Sequence, residues 1–483
     1  MRLASTVVLL ACGCAFLLAQ QAPPNTLSGE DVAALRSLHA AALASDYAMA
    51  QLEHLTDSIG PRLSGSSQKA AATEYVAAEL RKLGLQVRLQ EVQVPHWVRG
   101  EERAELVAYP GQAADTVQRL AVTALGMSAA TPPEGITAEV VTVRGFDELE
   151  RLGRGRVAGK IVVFNQPFDQ RMVEAGHAEE AYGESVAYRQ GGAVAASRLG
   201  AVASLIRSVG GAAYRLPHTG LTSYRDDVPA IPAGALSAED AALVERLTRR
   251  GLVQLHLVLT PKTLPDAIDH NVIGDLEGSE HPEEIVVVSG HLDSWDLGTG
   301  AIDDGVGVAV AMEAANLVKR LGLRPKRTIR VVAWAAEEPG LQGARRYAKD
   351  VGAELARHAG AIETDLGAGH PVGFEIGGAS SIAAMLAPVA AVLRESGAGL
   401  ARTVDLAGSD IIVLGIRGVP TFAPVQDNRR YFDYHHTPAD TLDKVDPVEL
   451  RENAALVSML AYALANLPEL PPHTPRPRPD WLR

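Results

Sequence analysis

The chain has 483 residues, more than one compact core usually holds, so two domains are expected. A formal charge of −13 with no sustained basic stripe argues against nucleic-acid binding. Both cysteines, Cys12 and Cys14, fall in the first 22 residues, which removes thiol catalysis, cysteine ligands and internal disulfides from the folded part.

Residues 1–22 pair a basic start, Met1-Arg2, with an apolar run to Leu18, the pattern of an export signal. The run is too short for a membrane span. Cleavage after Ala19 or Ala22 removes both cysteines, whereas processing at Leu9-Leu10-Ala11-Cys12 leaves Cys12 as a lipid anchor. The expected location is periplasmic or secreted, with a lipoprotein as the second route.

Residues 23–104 begin the catalytic domain in this reading. Helical apolar spacing covers 26–58, and the turn Ile59-Gly60-Pro61-Arg62-Leu63-Ser64-Gly65-Ser66 leads to a helix capped by Ser66 or Ser67 and ended by Gly84. Residues 86–94 alternate like a strand.

Residues 105–265 change texture to short β segments between Gly, Pro and charged turns, and read as a noncatalytic insert. Strands are expected at 159–164, 201–206, 228–233 and 252–259, with a helix at 193–199. His177, His218 and His256 are scattered there and read as structural or surface residues. The insert is expected to roof the cleft while the core alone supplies the chemistry.

Residues 266–467 restart a strand–helix alternation, which predicts an α/β domain with helices on both faces of its sheet. Strands are expected at 271–276, 285–288, 328–335, 360–364 and 420–423, with helices at 306–318 and 448–464. The tail, 468–483, is Pro-rich and reads as extended.

The chemistry gathers where those strands end. The apolar run 285–288 delivers His291 and Asp293 just past its carboxyl end, the edge where open α/β sheets place ligands. Asp303-Asp304 then precedes the apolar helix, and a bland reading makes Asp304 only its cap. Strand 328–335 ends at Glu337-Glu338, adjacent carboxylates that repel unless a cation sits beside them. Residues 360–364 deliver Asp365, and His435-His436-Thr437 precede the last helix. His, Asp and Glu converging on one sheet edge are zinc-site chemistry.

In order and spacing, these motifs resemble the co-catalytic zinc exopeptidases. The carriers are S-G-H-L-D-S-W-D from Ser289, A-I-D-D-G from Ala301, A-E-E from Ala336, E-T-D from Glu363 and H-H-T-P-A-D-T from His435. The resemblance spans nearly the whole mature chain and implies a mixed zinc-exopeptidase sheet with an inserted protease-associated domain. It implies two Zn2+ per chain, with Asp303 bridging them. His291 and Asp365 complete one site, Glu338 and His436 the other, with His435 as runner-up to His436. Glu337 becomes the general base, Asp293 orients the His291 ring, Asp440 braces its loop, and the Asp303–Asp304 peptide is cis.

The implied activity is hydrolysis of dipeptides or short peptides by water activated at the metal pair, with a homodimer as the implied assembly. Manganese or cobalt also suits such ligands. The alternatives are an aminopeptidase of the same family and a noncatalytic binding protein on the same scaffold. The latter is disfavoured because every ligand position and the base are present.

Overall fold

The structure is a computed structural model and describes residues 26–211 and 214–479. The export signal and the Cys12 anchor lie outside the described residues. Among the described residues, no helix is long and apolar enough to cross a membrane.

The described residues build two eight-stranded sheets. The first runs in the order Gln86–Val98, Lys262–Leu276, Arg327–Trp334, His281–His291, His358–Glu363, Thr421–Gln426, Pro371–Gly377 and Leu400–Val404. Its middle is parallel: His281–His291 pairs in parallel with both neighbours, and His358–Glu363 with Thr421–Gln426. Residues 286–288 are fully buried, which is why they read as one uninterrupted apolar run. Helix Val306–Arg320 packs beside Pro447–Asn466, and Gly29–Leu43 covers the latter. A reciprocal Ser28–Asp31 capping box starts Gly29–Leu43. The mixed α/β class is as expected.

All six strands expected in this sheet form, 86–94 among them, most of them longer than read. Two were not anticipated. Pro371–Gly377 has its apolar pattern broken by Pro371 and two glycines, and Leu400–Val404 is a largely exposed edge strand with two polar residues in five.

Strands Gln86–Val98 and Lys262–Leu276 pair antiparallel along nearly their whole length, from Gln86–Asp275 to Val98–Lys262. That ribbon carries the chain out to the second sheet, within residues 102–259, and back. The strand expected at 228–233 begins instead at Ala233, because Pro229 and Pro232 have no amide to give a ladder. The helix expected at 193–199 is the end of Ala178–Arg198, whose Gly183, Gly191 and Gly192 mask its length in sequence. Gly192 serves packing: a Cβ there would come 3.0 Å from the Phe164 ring.

Candidate metal centre

The parallel strands end at one edge. His291 closes its strand, Glu337 and Glu338 follow Arg327–Trp334, and Asp365 follows His358–Glu363. Asp303 arrives on the irregular turn Ala301–Gly305, where the Asp303–Asp304 peptide is cis, as the resemblance implies. Asp304 accepts from the amides of His291 at 3.0 Å and Gly307 at 2.9 Å. It ties the strand end to the helix start.

The two carboxylate oxygens of Asp303 face different partners. Oδ1 lies 3.2 Å from His291 Nε2, which lies 3.2 Å from Asp365 Oδ1. Oδ2 lies 3.1 Å from His436 Nε2, which lies 3.2 Å from Glu338 Oε2. Ligand atoms around a tetrahedral zinc with bonds near 2.1 Å stand about 3.4 Å apart, and His291, Asp303 and Asp365 lie close enough together to hold an ion. His435 Nε2 also comes within 3.5 Å of Asp303 Oδ2, and His435, His436 and Asp303 form a candidate set by distance. Its ring stacks on His436 at 3.5 Å between centroids, but only His436 is also paired with Glu338.

Electrostatics points the same way. Burial works to lower the His291 pKa, yet Asp365 and Asp303 outweigh it and hold the ring well above its ordinary value. His436 is likewise buried, and Glu338 and Asp303 push it up to about 9. The carboxylates thus demand positive charge at both Nε2 atoms, the need a divalent cation meets. Burial, with Glu338 and Asp365 adding, raises the Glu337 pKa well above its ordinary value.

The His291 tautomer follows from its other nitrogen, which faces the backbone carbonyl of Asp293 at 2.9 Å. A carbonyl only accepts, so Nδ1 carries the proton and Nε2 presents its lone pair to the cluster. The expected role of the Asp293 side chain is therefore corrected: its carboxylate stands 4.0 Å from that ring. It accepts instead from the amides of Glu337 at 3.0 Å and Glu338 at 3.3 Å, and from Ser64 Oγ at 2.9 Å. Asp440 braces its loop as read, accepting from the Ala301 and Ile302 amides at 2.8 Å each.

Several residues at the centre gave no sequence signal. Arg62, in the turn that leads to Ser66, is fully buried. It donates to the carbonyls of Leu292 at 2.8 Å, Thr299 at 2.7 Å and Gly300 at 2.7 Å, pinning the loop between His291 and Asp303. Ser409 Oγ donates to Asp365 Oδ2 in a short hydrogen bond. From the second-sheet segment, the Thr219 carbonyl and Arg189 Nη1 each stand 3.3 Å from His436 Nδ1. His218 is fully buried beside them, and burial, with His436 adding, pushes it down to about 3. Contacts to a proposed ligand thus come from outside the core, whereas the proposed ligands and base all lie within it. His177 stays on the surface near Glu180, and His256 bonds Thr137, as structural residues do.

The profile of Peptidase family M28 matches residues 271–461, the stretch that carries all six candidate site residues. Carboxypeptidase Q of Mus musculus is 40% identical over 422 residues, covering 87% of this chain and 86% of its own. The chain belongs to peptidase family M28. Carboxypeptidase Q of Homo sapiens is 38% identical over 451 residues, covering 92% and 91% of the two chains. Among solved structures, a peptidase M28 precursor from Shewanella amazonensis superposes with a TM-score of 0.86 at 38% identity, over 92% of this chain and 99% of its own. A zinc aminopeptidase from Bacillus subtilis shares the fold at TM-score 0.64 and 21% identity, over 88% and 98%. With this membership the chain is an enzyme of the zinc-dependent exopeptidase class that its motifs resemble.

Proposed function

We propose that this M28 enzyme holds two zinc ions bridged by Asp303 and hydrolyses dipeptides or short peptides, in the manner of the carboxypeptidase Q it resembles. The observation that carries the reading is the division of Asp303: one oxygen faces His291 and Asp365, the other His436 and Glu338. Two divalent ions about 3.5–4 Å apart need such a shared anion to offset their repulsion. His436 rather than His435 completes the second set, because it alone joins Asp303 to Glu338.

Bound zinc supplies a water of lowered pKa and polarises the scissile carbonyl. Glu337 follows the strand end beside Glu338 and is read as the base. Its carboxylate takes the proton of the attacking water and returns it to the departing amine nitrogen. The Asp293 carboxylate holds the Glu337 and Glu338 amides, so one acceptor fixes both base and ligand on the strand end. His291 and His436 stay oriented through Nδ1, each facing a backbone carbonyl.

Residues 105–265 are read as the protease-associated domain of this family, and export and homodimer formation rest on the N-terminal composition and the resemblance. Incubation of the zinc-loaded chain with free, N-blocked and C-blocked dipeptides tests the activity. Free dipeptides should be cleaved, and blocking one terminus should abolish cleavage. Equal hydrolysis of all three, or of none, contradicts the exopeptidase reading.

A further inference from the structure

A cavity of about 180 Å³ opens beside Asp365, between the core sheet and the segment that carries the second sheet. It is small against the 300–1,000 Å³ typical of whole-ligand pockets and suits one long side chain. Leu366, Pro424 and Val425 give it an apolar wall. Three carboxylates beyond Asp365 line it, Glu179, Glu363 and Glu375, against a single cation, Arg402.

Those charges are unequally satisfied. Arg402 is committed to Glu375, with Nε 2.7 Å from Oε1 and a second short hydrogen bond to the same oxygen. Glu363 is 1% exposed, and its Oε2 accepts from the Ser409 amide at 2.7 Å and the Ile411 amide at 3.3 Å. Its Oε1 is buried without any partner. A buried polar oxygen left unpaired is costly. Glu179, on helix Ala178–Arg198, has no ion pair among the described residues and accepts only a 3.4 Å bond from Asn428. The cavity therefore offers a wall for methylenes, and acceptors with no cation of their own beyond it.

We propose that this cavity selects a substrate residue with a cationic side chain, lysine or arginine, and that Glu179 is its specificity-determining residue. An apolar stem ending in a charge matches the arrangement, because such side chains lay their methylenes on apolar surface and keep the head among polar groups. Glu179 belongs to the segment outside the core, so that segment reads part of the substrate as well as bracing His436. An acidic side chain is disfavoured by the same carboxylates.

The inference rests on the exopeptidase reading, and two measurements separate their failures. The first compares kcat/KM of the zinc-loaded chain for Lys-Ala, norleucine-Ala and Ala-Ala, and for Ala-Lys against Ala-norleucine. One lysine dipeptide should exceed its norleucine isostere by at least about fivefold, the scale of a single partly exposed ion pair. In Glu179→Gln that ratio should collapse below about twofold with norleucine turnover unchanged. The second is calorimetric titration with lysinamide and norleucinamide, which reads the cavity even in a chain that fails to cleave Ala-Ala. Lysinamide should bind at least about fivefold tighter, and Glu179→Gln should abolish the difference. Equal binding of the two amides overturns the proposal, as does a lysine preference that survives Glu179→Gln. So does an equal loss of Ala-Ala and Lys-Ala turnover in that variant, which would assign Glu179 to the α-ammonium instead.

Discussion

Thr219 and His436 hold each other by their backbones and by a ring. The Thr219 amide donates to the His436 carbonyl at 2.9 Å, and the Thr219 carbonyl faces His436 Nδ1 at 3.3 Å. His436 sits at φ 62°, a left-handed conformation that a non-glycine residue keeps only when its surroundings fix it. The residue fixing it comes from the segment that carries the second sheet. Exchange of residues 102–259 for a short Gly/Ser linker should therefore lower zinc content and abolish dipeptide cleavage, provided circular dichroism shows a folded core. Native zinc content and turnover in that protein would mean the core builds the centre unaided.

Glu337 and Glu338 are neighbours with separable roles. Glu337→Gln removes no proposed ligand, so zinc content should stay native while kcat falls by about a hundredfold or more. Glu338→Ala removes the partner that stands 3.2 Å from His436 Nε2 and should lower zinc content itself. Metal analysis and kinetics on the two variants separate base from ligand. Native turnover in Glu337→Gln sinks the assignment of the base.

Away from the centre, His358 couples stability to pH. Its Nε2 accepts from Tyr347 Oη at 2.8 Å, and Arg330 donates to the same oxygen at 2.8 Å. Burial, with Arg330 adding, pushes the ring down to about 4, so the folded chain keeps it neutral where the unfolded chain protonates it. The unfolded state binds more protons between about pH 6.5 and the folded value, so stability is lost as pH falls through that window. Urea unfolding at pH 7.5 and 5 should show a loss of about 2 kcal/mol from this residue, absent in His358→Asn. An identical pH dependence in the variant would remove His358 as its source.

Much of this arrangement was legible because it is written in apolar runs and side-chain type. Strands buried on both faces leave uninterrupted hydrophobic stretches such as 286–288, and their ends point to His291, Glu338 and Asp365. Contacts made by backbone atoms leave no such mark. The Thr219 carbonyl acts across 217 residues of sequence, and nothing about a threonine announces it. Arg62 was hidden for a related reason: its hydrogen-bond partners are backbone carbonyls. Asp293 kept its importance but changed its means, since its carbonyl serves His291 while its carboxylate serves the next strand end.

The central claim is that Asp303 joins two metal sites in one chain. Zinc counted per folded chain after saturation and removal of loosely held metal tests it directly. The account predicts two zinc ions in the native protein and fewer than one in Asp303→Ala, because each cluster loses the oxygen facing it. A single zinc in the native chain, or two retained in Asp303→Ala, would contradict it.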